Sequence, residues 1–435
     1  MFLHFTHPVL HFFPMKRIRH ALSRPGIASA LTALALTVIL YRDALTLPLF
    51  SDDLLQIPWL QSISWAEIWT GPSPYGFYRP LWYSLWRIWG LAAGGLHPAG
   101  LHLLNLFAHF LASWLTGLLT SVWVRPRHAG GAANSNPMAA VLATAIFAVF
   151  PFARQAVAWP GAIYNPLVSA MAVGAILAYD RARSRDELGF LLLALLLMTL
   201  APLTYEAGLM VAPAIVLLEV VGWRYRRWSP RARWWGLLPI VGFVGTVMFW
   251  RLMRGSGVTR FGLTPGDLLR NVGYLLQGLI YPAAPLGQLL SEATSLGSGA
   301  SLWIVALPVT VFLIWGGLRR QPDACMLGFG WVLLFALPPT VSMTADWFAL
   351  APRFLYMIAC GTALLWTLSI LAVVEDIEAI VNRSCAQIIR YATVLLVVTA
   401  LAPAILFVRR GMNLYSISGA SIWASAEAAA RISQG

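Results

Sequence analysis

The chain of 435 residues is dominated by apolar side chains. Hydrophobic residues make up 59% of it and charged residues only 11%, and its mean hydropathy is +0.71. These values exclude an ordinary soluble domain. Because a hydrocarbon core of about 30 Å needs about 20 apolar residues per helix, the chain accommodates on the order of ten spans. Composition therefore predicts an all-α polytopic membrane protein.

The basic residues give a net charge of +13. They form short loop clusters between apolar runs, which fits membrane topology and argues against a nucleic-acid partner. When loops are assigned by alternation, more than half of the 30 basic residues fall on one side, which we take as cytoplasmic. We therefore expect a multi-pass protein of the plasma (inner) membrane whose first long loop faces outward.

Hydropathy predicts about 11 spanning helices. They cover residues 26–46, 99–124, 138–152, 163–180, 188–203, 207–222, 236–252, 301–318, 324–341, 355–374 and 392–408. Residues 1–25 are expected to form a basic cytoplasmic N-terminus, 26–410 one transmembrane domain and 411–435 a short outer tail. No small-residue cleavage site follows the first span, so we expect it to be retained. Whether residues 1–14 belong to the mature protein is left open.

Two long outer loops, at about 49–98 and 253–300, interrupt the spans. Trp82, Trp86 and Trp89 recur at helical spacing in the first, which predicts juxtamembrane helices at the outer interface; a simple aromatic belt is the alternative. An amphipathic helix from Pro265 to Tyr281 is predicted in the second loop, where it would wall a cavity opposite the first.

The three cysteines, Cys325, Cys360 and Cys385, are placed in two spans and one cytoplasmic loop. That placement predicts neither a disulfide framework nor a metal-ligand spacing. No metal site is therefore assigned from the cysteines.

Asp52 and Asp53 are adjacent carboxylates just beyond the first span, in a chain with only 17 acidic residues. A carboxylate at the mouth of a membrane cavity can accept the proton of an acceptor hydroxyl, although solvated loop acids are an equal alternative. Arg79 follows in the same loop, and a guanidinium group binds phosphate oxygens in bidentate fashion. Instead of binding a phosphate, the Arg79 side chain can extend to the membrane interface or pair with one of the two acids.

Spacings of three and four place His102, Asn105 and His109 on one face of a predicted span. Interhelical hydrogen bonds are the favoured interpretation for Asn105 and His109, because polar side chains within a membrane point into the bundle. His102 lies nearer the outer mouth, where it can contact a ligand.

Further polar residues are predicted at the outer ends of other spans. Glu206 follows Tyr205 between two spans, and Arg353 opens a span on the same side. A phosphate at the outer interface would attract Arg353, whereas a snorkelling arginine with an aromatic anchor is the commoner arrangement. Arg154 has the same two alternatives, contact with a phosphate or a snorkelling side chain with an aromatic anchor.

Taken in chain order, these residues resemble the GT-C superfamily of integral-membrane glycosyltransferases. Within it they resemble the protein O-mannosyltransferase-like branch, which includes transmembrane mannosyltransferases that carry tetratricopeptide repeats. The resemblance covers about 26–410. It rests on Asp52-Asp53, Tyr78-Arg79-Pro80-Leu81, Leu101-His102, Asn105, His109, Phe150-Pro151, Ala156-Val157-Ala158-Trp159, Tyr205-Glu206-Ala207-Gly208 and Arg353-Phe354-Leu355-Tyr356.

The resemblance implies a base in the first outer loop, with Asp52 as the first candidate and Asp53 as the second. It implies a polyprenyl-phosphate sugar as donor and inverting transfer to a hydroxyl of a glycan, lipid or protein. No cofactor is required, and one acidic pair neither requires nor excludes a divalent ion. The remaining expected site residues are Arg79, Arg353, Tyr78 and Tyr356 at the donor phosphate and His102, Asn105, Glu206 and Trp159 along the cavity.

The chain departs from many repeat-bearing relatives, which have His-Pro and a following Glu where it has Phe150-Pro151 and Gln155, and Lys-Glu where it has Tyr205-Glu206. It also ends where their repeat domain begins, so a lipid or glycan acceptor is expected at least as much as a protein. The alternatives to an enzyme are a transporter or flippase of lipid-linked sugars and a membrane scaffold. A transporter would need charged or broken midplane helices and paired repeats, of which the sequence shows no clear sign.

Overall fold

The computed structural model describes residues 24–125, 136–225, 228, 230–254, 263–381 and 383–434. In these ranges the regular structure is entirely helical. The α-helices are α1 Pro25–Tyr41, α2 Asp53–Ser62, α3 Trp65–Thr70, α4 Pro80–Ala93, α5 Pro98–Trp123, α6 Pro137–Ala148, α7 Ala153–Ala158, α8 Tyr164–Arg185, α9 Leu188–Thr204, α10 Val211–Arg224, α11 Leu238–Arg254, α12 Pro265–Leu279, α13 Ala284–Ala293, α14 Ser298–Arg320, α15 Pro322–Ser342, α16 Ala345–Leu350, α17 Ala359–Glu378 and α18 Arg383–Gln434. The 3₁₀ segments are Arg42–Thr46, Pro160–Ala162, Glu206–Met210, Pro230–Leu237 and Pro352–Ile358.

Nine helical stretches within these described ranges are long and apolar enough to cross a membrane. They contain α1, α5, α8, α10, α11, α14, α15, α17 and part of α18. The two other predicted spans coincide with α6 and α9, shorter apolar helices of 12 and 17 residues. At 1.5 Å per residue α6 is only about 18 Å long, less than a hydrocarbon core. The multi-pass, all-helical prediction is confirmed, whereas a count of about 11 spans is not.

The first long loop folds into three short helices, α2, α3 and α4. A capping box of Ser64 and Glu67 begins α3. Helix α4 starts at Pro80 and is followed by Gly94 as its C-terminal cap, whose φ of 72° suits a residue without Cβ. Helices were predicted here, but Trp82 and Trp86 are fully buried and pack on one another rather than facing lipid headgroups. This loop therefore has an aromatic core of its own.

The second long loop contains α12, as its amphipathic pattern predicts. Asp267 caps α12 and its Oδ1 accepts the Ala345 N–H at 2.9 Å. The buried Asn271 amide donates to the carbonyl oxygens of Thr340 and Met343 at 3.1 and 2.8 Å. These bonds fasten α12 to the end of α15 and the start of α16, which fixes the loop before Arg353.

The C-terminal segment is helical. Residues 411–434, predicted as a short outer tail, continue α18. Alanine has the highest helix propensity and recurs between 420 and 430, which favours this continuation. The helix brings Tyr415 against Phe50 of the first loop, with ring centroids 5.6 Å apart.

Candidate active site

The two adjacent acids of the first loop have opposite environments. Ser51 has a φ of 56°, a left-handed conformation that is uncommon for a residue other than glycine and is often found at functional sites. The turn leaves Asp52 exposed at the N-cap of α2 and buries Asp53 completely in its first turn. Only Asp52 is therefore open to an acceptor in this structure.

Three N–H groups surround the Asp53 carboxylate. The Trp159 indole Nε1–H donates to Oδ1 at 3.1 Å and the Phe50 N–H donates to Oδ2 at 3.5 Å. The Gly161 N–H also faces the carboxylate. Burial raises the pKa of Asp53 to about 7, and these donors limit the rise because they favour the charged form.

Gly161 makes the close approach to Asp53 possible. A Cβ atom at position 161 would lie 2.6 Å from Asp53 Oδ1 and 3.0 Å from Trp159 Nε1. Both distances are too short for a carbon atom, so any larger residue has to displace one of the two partners. The segment Pro160–Ala162 therefore fixes where the carboxylate sits.

Asn105 positions Trp159. Its Nδ2 group donates to the Trp159 carbonyl oxygen at 2.6 Å and lies 3.3 Å from that of Ala156. Because a short helix such as α7 leaves its last carbonyl groups without intrahelical partners, a buried amide is well suited to satisfy them. Asn105 thus makes the kind of bond predicted for it, and it acts on Asp53 through Trp159.

Arg353 joins Trp159 to a second aromatic group. Its guanidinium carbon lies 4.8 Å from the Trp159 ring centroid, and its Nε donates to the Tyr164 hydroxyl at 3.2 Å. The side chain is half-buried. Within the described ranges no carboxylate lies within 4.0 Å of this guanidinium, which leaves it able to bind an anion.

Arg154 approaches the same region from α7. Its guanidinium carbon lies 4.6 Å from the Phe407 ring centroid, and both Arg154 and Arg353 act electrostatically on the Tyr415 hydroxyl. Phe50 stacks between Tyr415 and Trp159, with a centroid distance of 6.5 Å to the latter. Two guanidinium groups therefore flank the aromatic side chains that cover Asp53.

Arg79 is engaged in an ion pair rather than open to a ligand. It is 7% exposed and pairs in bidentate fashion with Glu206, with Nη2 at 2.8 Å from Oε2 and Nε at 3.2 Å from Oε1. The Phe77 and Tyr164 rings cover its guanidinium at 4.2 and 4.5 Å. The acid partner is thus Glu206 and neither Asp52 nor Asp53, and a role of Arg79 at the donor phosphate stays a prediction.

The two tyrosines expected at the phosphate face other groups. Tyr78 donates its hydroxyl to the Trp69 carbonyl at 3.0 Å, and the fully buried Tyr356 hydroxyl lies 2.7 Å from His109 Nδ1. His109 Nε2 is 3.3 Å from the Ala148 carbonyl oxygen, so it joins helices as predicted. His102 is fully buried instead of lining an open mouth.

Comparison with known proteins places the fold. No family model matches the chain. The chain is 27% identical over 201 residues to the protein O-mannosyl-transferase Tmtc1 of Drosophila melanogaster, which covers 43% of the chain and 22% of that protein. The apo oligosaccharyltransferase of Archaeoglobus fulgidus superposes with a TM-score of 0.50 and 13% identity over 89% of this chain and 56% of that one. The chain has the GT-C fold.

A further GT-C structure shows a weaker likeness. ArnT from Cupriavidus metallidurans, bound to undecaprenyl phosphate, has a TM-score of 0.45 and 13% identity, over 89% of this chain and 76% of that one. The chain thus spans about a fifth of the curated relative it matches and about half of the Archaeoglobus structure. The fold implied by the sequence motifs is thus the fold that the Archaeoglobus comparison shows.

Four separate loops of this GT-C chain meet at one end of the helix bundle. Asp53 bonds to Trp159, Trp159 lies under Arg353, Arg353 bonds to Tyr164, and the Tyr164 ring covers Arg79. Five expected site residues, Asp53, Trp159, Arg353, Arg79 and Glu206, therefore belong to one network. Sequence reasoning missed Tyr164, Gly161 and Tyr415, because a single aromatic or glycine at a span end carries no distinctive pattern.

Acidic and metal-ligating side chains are sparse around this network. Within the residues that the structure describes, no group of three or more His, Cys, Asp or Glu side chains is arranged to hold a metal ion.

Proposed function

We propose that this chain is an inverting glycosyltransferase that moves a sugar from a polyprenyl-phosphate donor to a hydroxyl group of an acceptor. One arrangement carries the proposal: an exposed carboxylate, Asp52, adjoins a network in which Asp53 leads through Trp159 to Arg353. Such a site can remove a proton at one end and hold a phosphate at the other. The likeness to a protein named an O-mannosyl-transferase agrees with this chemistry.

Asp52 is the general base of the proposed reaction. A base has to come within hydrogen-bond reach of the hydroxyl proton that it removes, and Asp52 is exposed whereas Asp53 is covered. The acceptor oxygen attacks the anomeric carbon as Asp52 takes its proton. The bond from that carbon to the phosphate oxygen breaks on the opposite face, its electron pair leaves with the phosphate, and the configuration inverts.

Asp53 is the orienting acid. Its bonds to Trp159 and Gly161 hold the strained turn that presents Asp52. When Asp53 ionises near neutral pH, the N–H donors of Phe50, Trp159 and Gly161 favour its charged form and so hold the carboxylate, and with it the turn, in place. The pair therefore combines one fixed carboxylate with one that reaches the acceptor.

Arg353 and Arg154 hold the donor phosphate in the proposed complex. The phosphate gains negative charge as the sugar leaves, and a guanidinium group stabilises that charge more in the transition state than in the ground state. Arg353 has no carboxylate partner in the described ranges, and the Trp159 and Phe354 rings lie against its guanidinium group. Phe50 and Tyr415 have to move aside for the donor to reach both arginines.

The acceptor is a hydroxyl of a glycan, a lipid or a protein. The three departures from repeat-bearing relatives, at Phe150, Gln155 and Tyr205, are the positions at which we expect acceptor selection to differ. Mass analysis of surface glycans and glycolipids in a deletion strain identifies the acceptor by the sugar that disappears.

Single-turnover transfer from a labelled polyprenyl-phosphate sugar tests the proposal. We expect Asp52→Asn to lower the rate by about 10²–10⁴-fold, the usual contribution of a general base, and Arg353→Gln to weaken donor binding. Glu292→Gln, at an exposed acid of α13, is the matched control and should keep the wild-type rate. Wild-type rates in both Asp52→Asn and Asp53→Asn would refute the assignment, and transbilayer movement of unconsumed donor would support the transporter instead.

A further inference from the structure

A large groove runs along three helices of the bundle, and its mouth lies at the end away from Asp53. Its volume is about 1010 Å³, and α5, α8 and α9 form its walls. Leu115, Leu167, Leu177 and Leu193 are among the apolar side chains that line it. Neither the acids nor the arginines of the candidate active site contribute to it.

The groove runs along the helices toward the opposite side of the membrane. Helix α8 begins at Tyr164, which bonds to Arg353 in the candidate site, and ends at Arg185 at the groove mouth. At 1.5 Å per residue these 22 residues cover about 33 Å, close to the thickness of a hydrocarbon core. The mouth of the groove therefore lies in the leaflet that the catalytic end does not face.

The mouth is basic. Arg125, Arg181 and Arg185 line it together with a single acid, Asp180. Glu187 stands nearby, 3.3 Å from Arg181 and 4.0 Å from Arg185, so two guanidinium groups share one carboxylate. The side chains of Arg181 and Arg185 are 43% and 59% exposed, which leaves them within reach of a headgroup.

We propose that this groove binds an anionic membrane glycerophospholipid of the leaflet opposite the active site. An acyl chain fills the apolar part between α5, α8 and α9, and the phosphodiester contacts the arginines at the mouth. Basic pockets between transmembrane helices bind anionic headgroups in this way, and guanidinium groups form charge-assisted bonds to phosphate oxygens. The lipid would brace α8, the helix that carries Tyr164 to the active site.

The sugar donor is not the occupant. A donor that reacts at Asp52 needs its phosphate at the catalytic end, near Arg353, whereas the basic mouth of the groove lies about one membrane thickness away. The groove is thus a second lipid site, independent of the proposed transfer reaction. Its test measures lipid binding and does not depend on activity.

Purified full-length chain in a neutral detergent provides the test. Phosphatidylglycerol is added at increasing concentration and the rise of Tm is measured, because a ligand that binds the folded state stabilises it by mass action. Phosphatidylcholine and undecaprenyl phosphate are titrated in parallel. We expect phosphatidylglycerol to raise Tm, phosphatidylcholine to raise it far less, and undecaprenyl phosphate to leave the apparent affinity for phosphatidylglycerol unchanged.

The double variant Arg181→Gln/Arg185→Gln should need about tenfold more phosphatidylglycerol for the same rise, as expected for lost charge-assisted bonds. Gly174→Leu obstructs the groove without changing its charge, since a Cβ there already lies 3.2 Å from Leu197 Cδ1, and should have the same effect. Arg224→Gln, at an exposed arginine outside the groove, is the control.

Equal stabilisation by phosphatidylcholine, or an unchanged response of both variants, would overturn the proposal. Competition by undecaprenyl phosphate that the Arg181→Gln/Arg185→Gln variant abolishes would overturn it in favour of a donor groove. Neither outcome changes the rate expected for Asp52→Asn, so this proposal and the proposed transferase activity fail separately.

Discussion

Trp159 donates its indole N–H to Asp53 Oδ1 over 3.1 Å, although the two residues are 106 positions apart in the chain. This bond joins the first long loop to the segment between α7 and α8. Since the Arg353 guanidinium lies over the same indole, one side chain ties the acidic turn to the proposed phosphate site.

Loss of that bond should alter the pH dependence of the enzyme. Trp159→Phe keeps most of the ring and removes only the donor, so the ionised form of Asp53 loses a stabilising partner and the pKa of Asp53 rises further. We expect slower transfer, with the pH–rate midpoint shifted upward. The measurement is single-turnover rate against pH. Trp114→Phe removes an equivalent indole bond, to the Gly26 carbonyl, and should leave the midpoint unchanged; a shift in both variants would contradict the role of Trp159.

Asp53 should make the fold less stable as pH rises. Its folded-state pKa is about 7 and its ordinary value is 3.8, so between these two values the folded chain holds a proton that the unfolded chain has released. Stability is therefore lost progressively across that window and stays at the lower level above it. Asp53→Asn removes the effect, and we expect its Tm to exceed that of the wild type by about 2–4 °C at pH 8 and to match it near pH 4. Thermal unfolding in detergent at both pH values checks this, and a Tm advantage confined to low pH would contradict it.

Gly161→Ala should impair transfer while leaving the fold largely intact. The added Cβ meets Asp53 Oδ1 at 2.6 Å and has to push the carboxylate or the indole away. A misplacement of about 1 Å can cost about 10²-fold in rate, so we expect a loss approaching that size with a small change in Tm. Gly71→Ala, in the first long loop and with no atom within 4 Å of its Cβ, is the control. Equal rates for the two variants would show that the close approach at Gly161 has no functional role.

Much of the fold follows from the sequence because membrane insertion is governed by local apolar length. Every predicted span coincides with an apolar helix, including the short helices α6 and α9. Residues 411–434 were predicted as a short outer tail without an assigned secondary structure, since hydropathy detects spans and not helices made of small residues. The structure continues α18 through them.

The site was less accessible to sequence reasoning, because its contacts join residues far apart in the chain. The acidic turn, Trp159 and Arg353 were named from their motifs, and the structure places them in one network. The partner of Arg79 was not identified, since pairing with Glu206 spans 127 positions. Tyr356 was expected at a phosphate because it follows Arg353, yet a helical turn sends its hydroxyl to His109 in the bundle.

The Arg79–Glu206 pair should behave as one buried unit. Their side chains are 8% and 22% exposed, so removal of either partner leaves the other charge poorly solvated, at a cost of about 3 kcal/mol. We expect Arg79→Gln and Glu206→Gln each to lower Tm strongly and the double variant to lower it little more than either one. The same cycle at Arg319 and Asp376, where the arginine side chain is 51% exposed, should show coupling of at most about 1 kcal/mol. Thermal unfolding of all the variants gives both cycles. Additive losses at Arg79 and Glu206 would show that the two charges do not depend on each other. That result would favour Arg79 as a ligand for the donor phosphate.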